Sequence, residues 1–293
     1  MTASSTPSQD DLVAPGASLG LISVLARRHL LWLLVRKDVR IRYRGSILGW
    51  FWSYLKPLAQ FAVYYIAVGE FLKLNQSLPA FAIYLFSGLI AVNLFNEAFG
   101  NSTRSITENA DLIKKIYLPR ELFPVASVLI AVVNFLPQLI VLLGVCAILG
   151  WHPSAVQLLC VLLGIVILVV LALGLGLLFG AVNVGLRDAQ SVVEMILMFT
   201  TWLSPVLYSI SLVRDALDPA LFVIYLLNPI TAAVNLFHYG IWLPTTDPNE
   251  GTAAMLGDGI IVYGLLGLVS SLVLLIAGQI VFRSLEKSFA QNL

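Results

Sequence analysis

Charge is what this sequence has least of. Lys, Arg, Asp and Glu together supply 11% of its 293 residues, with a net charge of +1, where a water-soluble domain carries about 25%. Hydrophobic residues make up 59%, and the mean hydropathy is +0.92. So few charged groups cannot cover a water-facing surface, which excludes a soluble globular domain and predicts an integral membrane protein. Cysteine is almost as scarce. Cys146 and Cys160 both lie inside apolar runs, giving neither a disulfide framework nor metal-ligand spacing. His29, His152 and His238 stand alone, and no H-E-x-x-H or paired-carboxylate constellation accompanies them, so no catalytic or metal role is assigned. No G-x-x-x-x-G-K-[ST] phosphate loop occurs. If transport is ATP-driven, ATP and Mg are bound by another polypeptide, and this chain binds no cofactor of its own. No base-reading motif supports a nucleic-acid partner.

Residues 1–20 are polar, small and interrupted by Pro and Gly, which predicts a disordered tail. The start carries Asp10 and Asp11 and no basic residue, so no cleaved signal is expected. The rest, 21–293, reads as a single transmembrane domain. A helix crosses the hydrocarbon core with about 20 apolar residues, and six segments qualify, near 51–72, 80–102, 124–149, 155–183, 190–210 and 258–281. Pro205 should kink the fifth, because proline removes a backbone hydrogen bond. Between the fifth and sixth, Pro219, Pro229 and Pro244 break an apolar stretch into pieces too short to cross. These predict a short helical hairpin, re-entrant or interfacial. The fold class is therefore all-α integral membrane.

Orientation follows from Lys and Arg. Arg27, Arg28, Arg36, Lys37, Arg40, Arg42 and Arg44 precede the first span; Arg104, Lys114, Lys115 and Arg120 flank the loop after the second; Arg187, Arg283 and Lys287 fall on the same side. The opposite loops hold Lys73 and Arg214 with Asp215, Asp218, Asp247 and Glu250. Both termini are expected in the cytoplasm. Trp32, Val35, Val39 and Tyr43 form one stripe over residues 24–44, with Arg36, Lys37, Arg40 and Arg44 on the adjacent arc. That pattern predicts an amphipathic helix lying in the headgroup region of the bilayer, or else an ordinary basic flank of the first span.

The most organised polar segment is SITENADLIKKIYLPRELFP, residues 105–124. Ser105 and Glu108 have the spacing of a capping box. Lys114 and Lys115 sit toward the negative helix end, and Pro119 stops the helix. Ile106, Ala110, Ile113 and Tyr117 form its apolar stripe. Such a helix either rests on the bilayer or docks a cytoplasmic partner. Within the membrane, Asn93, Asn96 and Glu97 give the second span a polar side, and Gln190 and Glu194 do the same for the fifth. Buried charge is expensive in lipid, so Glu97 and Glu194 are contacts between helices or line a path. Glu70 is placed to pair with Lys73. Tyr54, Leu58, Phe61 and Tyr65 share one face of the first span, and Trp202 and Tyr208 mark the fifth. These aromatics suit stacking on sugar rings as well as they suit helix packing.

Five stretches together resemble the membrane subunit of type-2 ABC exporters that move O-antigen, capsule and teichoic-acid polymers: RKDVRIRYRGSILGWFWSYLKP, NADLIKKIYLPRELFPVA, VNVGLRDAQSVVEMILMFTTWLSPVLYS, NPITAAVNLFHYGIW and FRSLEKSFAQNL. The resemblance runs nearly end to end, leaving out residues 1–20; Gly185-Leu186 departs from the aromatic or polar pair frequent there. It implies a homodimer with two ATP-binding cassette subunits in the bacterial inner membrane. The implied cargo is a glycan on undecaprenyl diphosphate, carried outward between the two membrane subunits. Ser105, Ile106, Glu108, Ala110, Ile113, Lys114 and Tyr117 would then belong to the ATPase-coupling helix. Trp32, Arg36, Lys37, Arg40, Tyr43 and Arg44 would belong to the interfacial helix. Tyr54, Phe61, Tyr65, Asn93, Glu97, Trp202 and Tyr208 are candidates for lining the channel. Two other readings are an exporter of the same fold for a small amphiphile, and a membrane-embedded glycosyl- or acyltransferase. The latter would need paired acidic or histidine residues at the membrane surface.

Overall fold

A computed structural model describes residues 20–42, 52–115, 118–186, 188–247, 252–257 and 259–289, and among these no strand occurs. Two short helices open the chain, α1 (Leu21–Ala26) and α2 (Arg28–Arg42). Next come α3 (Trp52–Tyr64), which widens into a π-helical end over Tyr65–Phe71, and α4 (Phe81–Glu108). A short α5 (Ala110–Lys115) leads to α6 (Leu122–Ile148) and α7 (Ala155–Gly185). Then follow α8 (Asp188–Thr200), three small helices α9 (Ile210–Ala216), α10 (Pro219–Leu227) and α11 (Pro229–Phe237), and the final α12 (Ile260–Glu286).

Among the described residues four helices, α4, α6, α7 and α12, are long and apolar enough to cross a membrane, and the bent pair α10–α11, taken as one span, makes a fifth. At about 1.5 Å per residue, the shortest of the four still exceeds the hydrocarbon thickness of about 30 Å. Among the described residues, four of the six predicted spans meet that test as single helices. The first predicted span is the 13-residue α3 with its π-helical extension. The fifth stops as a helix at Thr200 and continues in turns to Tyr208, because Pro205 removes a backbone donor there. The hairpin expected after it is present: α10 and α11 meet at 78° across Asn228, whose side chain caps α11 by accepting from the Ile230 N–H.

α4 is the axis. It is almost wholly enclosed, whereas α12 keeps most of its surface exposed. Ile140, Val145 and Ile148 on α6, Leu159 and Leu162 on α7, and Val269, Val273 and Ile280 on α12 are exposed, an arrangement suited to lipid rather than water. α7 lies against both α4 and α12. With lipid on the outside, helices associate through close packing at small residues. Gly174 on α7 meets Gly278 on α12 at such a crossing. A Cβ on Gly278 would collide with the Gly174 carbonyl oxygen, and one on Gly174 would lie 2.7 Å from the Leu275 backbone.

Two apolar cores are stacked along the bundle. The larger joins α4, α6 and α7 with α11. The smaller gathers Val24, Leu34, Val35, Ile106, Leu122, Phe123, Val184, Phe282 and Phe289. It therefore ties α1, α2 and the end of α4 to the start of α6 and the ends of α7 and α12. That grouping corrects the stripe predicted on α2. Val35 is buried and Val39 packs inward, but Trp32 is 60% exposed. The run LLWLLV is apolar on two sides, so Leu31, Leu34 and Val35 face protein and Trp32 with Leu33 faces outward. Tyr43 and Arg44 lie outside the described residues.

Candidate functional site

The end of the bundle where the basic segments converge is the first candidate. No separate helix begins at Ser105. α4 runs unbroken to Glu108, and the Ser105 hydroxyl donates to the Ser102 carbonyl at 2.7 Å instead of capping. Ser105 and Ile106 are both buried; burying Ile106 in the smaller core outweighs the local start signal. The break falls at Asn109, whose Nδ2 donates back to the Ser105 carbonyl at 2.9 Å. α5 then carries Leu112 and Ile113 against the smaller core and leaves Asp111, Lys114 and Lys115 exposed. Ala110 is half-buried, and Glu108 is exposed beside the break. Tyr117 lies outside the described residues. The outward surface of α5 is thus charged, and its apolar side is its mount.

That mount is braced by the chain's far end. Arg120 donates to the Glu286 carbonyl, and its guanidinium lies 5.5 Å from the Phe289 ring centroid, a cation–π contact. Gln279 Nε2 donates to Glu121 at 3.2 Å. The start of α6 is thereby tied to the end of α12.

The polar side of α4 is the second candidate, and the structure resolves it into contacts between helices. Asn93 Nδ2 donates to Gln60 of α3 at 3.2 Å. Thr200 of α8 donates to Asn96 at 2.8 Å. Asn134 of α6 donates to Glu97 at 2.7 Å. One turn and a bit of α4 thus holds three neighbours through side-chain hydrogen bonds, as polar groups in membrane bundles do. Glu194 is exposed and accepts from Gln190 within α8 at 2.9 Å. Glu70 accepts from Asn75 at 2.9 Å rather than pairing with Lys73.

The broken stretch after α8 has its freed carbonyls taken up by side chains, as non-helical backbone at membrane depth requires. The Tyr84 hydroxyl lies 2.9 Å from the Pro205 carbonyl and 2.8 Å from that of Tyr208. Ser204 donates to the Thr200 carbonyl and Tyr208 to that of Trp202, both at 2.7 Å. His238 stacks on Tyr84 with centroids 3.8 Å apart, its Nε2 3.1 Å from the Tyr84 carbonyl. Sequence reasoning assigned nothing to Tyr84 or Gln60 and left His238 without a role; partners more than thirty residues away leave no local pattern. Among the aromatic candidates, Phe61 packs on Phe86 at 5.3 Å and Tyr65 on Phe81 at 6.0 Å. Tyr54 is half-buried, and Trp202 is 56% exposed.

An enclosed α4 with one polar side, lipid-suited helices around it and a broken span define a helical membrane-embedded protein. The chain belongs to the ABC-2 type transporter family, which matches residues 29–242. It is 29% identical over 275 residues to the O-antigen export system permease protein RfbA of Myxococcus xanthus, covering 91% of this chain and 96% of that one. It is also 28% identical over 190 residues to the protein of the same name from Klebsiella pneumoniae, covering 64% of this chain and 71% of that one.

Proposed function

We propose that this chain is the membrane subunit of an ATP-driven exporter that moves a lipid-linked polysaccharide of the O-antigen type from the cytoplasm to the cell exterior. The observation that carries this reading is the alignment over 96% of the length of a relative named for O-antigen export. Two copies pair, with the path between them, and two ATP-binding subunits dock at the basic ends, where ATP and Mg are bound and hydrolysed. The cargo is a glycan on undecaprenyl diphosphate. The membrane is the bacterial inner membrane with both termini cytoplasmic, which the one-sided Lys and Arg distribution supports.

In this mechanism α5 and the last turn of α4 are the coupling element. Lys114, Lys115 and Asp111 meet the ATP-binding subunit; Ile113 and Ile106 transmit its motion into the smaller core. Exposed Trp32 anchors α2 in the headgroups while Arg36 and Lys37 meet anionic lipid, worth about 1 kcal/mol per basic residue. Trp202 faces the cargo path, and Asn93 and Glu97 hold the α4 axis against α3 and α6 beside it. Depleting the protein in its own cells is expected to raise intracellular lipid-linked glycan several-fold while surface glycan falls. Surface glycan at its normal level with no internal build-up would refute the reading.

A further inference from the structure

α3 and α8 lie against the same face of α4. Asn93 donates to Gln60 of α3, and Thr200 of α8 donates to Asn96; positions three apart on a helix share a face. The outer sides of both helices are bare. Leu58, Val63 and Ile66 on α3 and Met195, Met198 and Phe199 on α8 are exposed, as are Trp202 and Leu203 in the turns that follow. The stretch from Thr201 to Tyr208 is not helical, and such backbone at membrane depth is tolerated where protein or a water-filled cavity covers it. Each helix also turns a charge outward. Lys56 is the single charged residue of α3 and is exposed. Glu194, the only charged residue of α8 beyond its first position, is exposed as well. Among the described residues Lys56 has no hydrogen-bond or ion-pair partner, and Glu194 accepts only from Gln190. Charge on a membrane helix is expensive and is met by an opposite charge, a headgroup or water.

We infer that this side of the bundle seats a second copy of the chain, and that Lys56 of each copy pairs with Glu194 of the other. This deepens the reading that two copies pair, rests on it, and names the surface they use. A two-fold interface is self-complementary: where α3 of one copy meets α8 of the other, α8 meets α3 in return. A basic residue on one helix and an acidic residue on the other fit that rule. Packing α3 on α3 would set lysine against lysine, and α8 on α8 glutamate against glutamate, and like charges disfavour both. Depth agrees, since a two-fold axis along the membrane normal leaves depth unchanged. With the two α4 hydrogen bonds as level marks, Lys56 lies about 6 Å and Glu194 about 14 Å nearer the basic end than Asn93, at about 1.5 Å per residue. A lysine side chain runs along apolar surface toward the headgroups, which carries its ammonium down toward the carboxylate. The exposed apolar residues around the pair close over it, where salt screens little.

The test uses the full chain with its ATP-binding subunit in membranes. It carries p-benzoyl-phenylalanine in place of Met198 of α8 or, separately, of Val273 of α12, both exposed. After irradiation, covalent dimers are counted on a denaturing gel and the joined peptides are read by mass spectrometry. Dimers are expected at 198, joined to α3 of the second copy, and not at 273. Lys56→Glu and Glu194→Lys should each lower them about fivefold or more. The double swap restores opposite charges and should return them to within about twofold of the parent. Because the swap carries both changes, its recovery also shows that neither prevents folding. Dimers at 273 and not at 198 would overturn the interface while leaving pairing and export intact. Dimers at 198 that neither reversal weakens, or that the double swap fails to restore, would overturn the Lys56–Glu194 pair. Dimers at neither position would remove the pairing of copies and this interface with it.

Discussion

Changing Lys114 and Lys115 together to glutamate is expected to abolish co-purification of the ATP-binding subunit, by at least tenfold, and to end export. Both side chains are exposed on α5, at the helix end where positive charge complements the macrodipole. The double reversal moves the local charge by four units, and like charges brought together at an interface cost several kcal/mol. Because neither lysine packs into the smaller core, the variant should fold, with a melting temperature within a few degrees of the parent. Ile113→Asp should behave differently. Ile113 packs against that core, so a carboxylate there destabilises the chain first and loses the partner only as a consequence. Normal recovery of the ATP-binding subunit with the double lysine variant would remove α5 from the docking surface.

Gly278→Leu is expected to prevent accumulation of folded protein. The added side chain would occupy space held by the Gly174 carbonyl, backbone that cannot turn aside, so α12 must leave α7. Overpacking a core costs about 1–3 kcal/mol, occasionally more, and a clash with backbone falls at the upper end. In detergent the variant should show little monodisperse protein and a melting transition lowered by ten degrees or more. Gly144→Leu is the control, since nothing lies within 4 Å of a Cβ there; it should purify as the parent does. A well-folded Gly278→Leu would mean that the α7–α12 crossing is not as close as described.

What could be read from the sequence divides by range. The segments that became α4, α6, α7 and α12 announce themselves, because long apolar runs have few alternatives. The hairpin was readable from Pro219 and Pro229, which open α10 and α11 at their first positions. The existence of a polar element between two spans was readable too, but its start was not. Ser105 and Glu108 have capping spacing, yet serine can equally bond back to a carbonyl inside a helix, and only tertiary packing of Ile106 decides. Which side of α2 meets protein is not legible for a related reason, since the helix is apolar on two sides. Tyr84 with Pro205, Asn134 with Glu97 and Gln279 with Glu121 pair distant parts of the chain. No periodicity reports such pairs.

The central claim, ATP-driven outward movement of a lipid-linked glycan through this chain, is tested most directly in inside-out membrane vesicles holding the chain and its ATP-binding subunit. Lipid-linked glycan is supplied on the outer face, and its protection from an added glycosidase is followed. The account predicts that protection rises with ATP and Mg and stays at background with a non-hydrolysable ATP analogue or with the Lys114 and Lys115 double variant. Protection equal with and without ATP would contradict it.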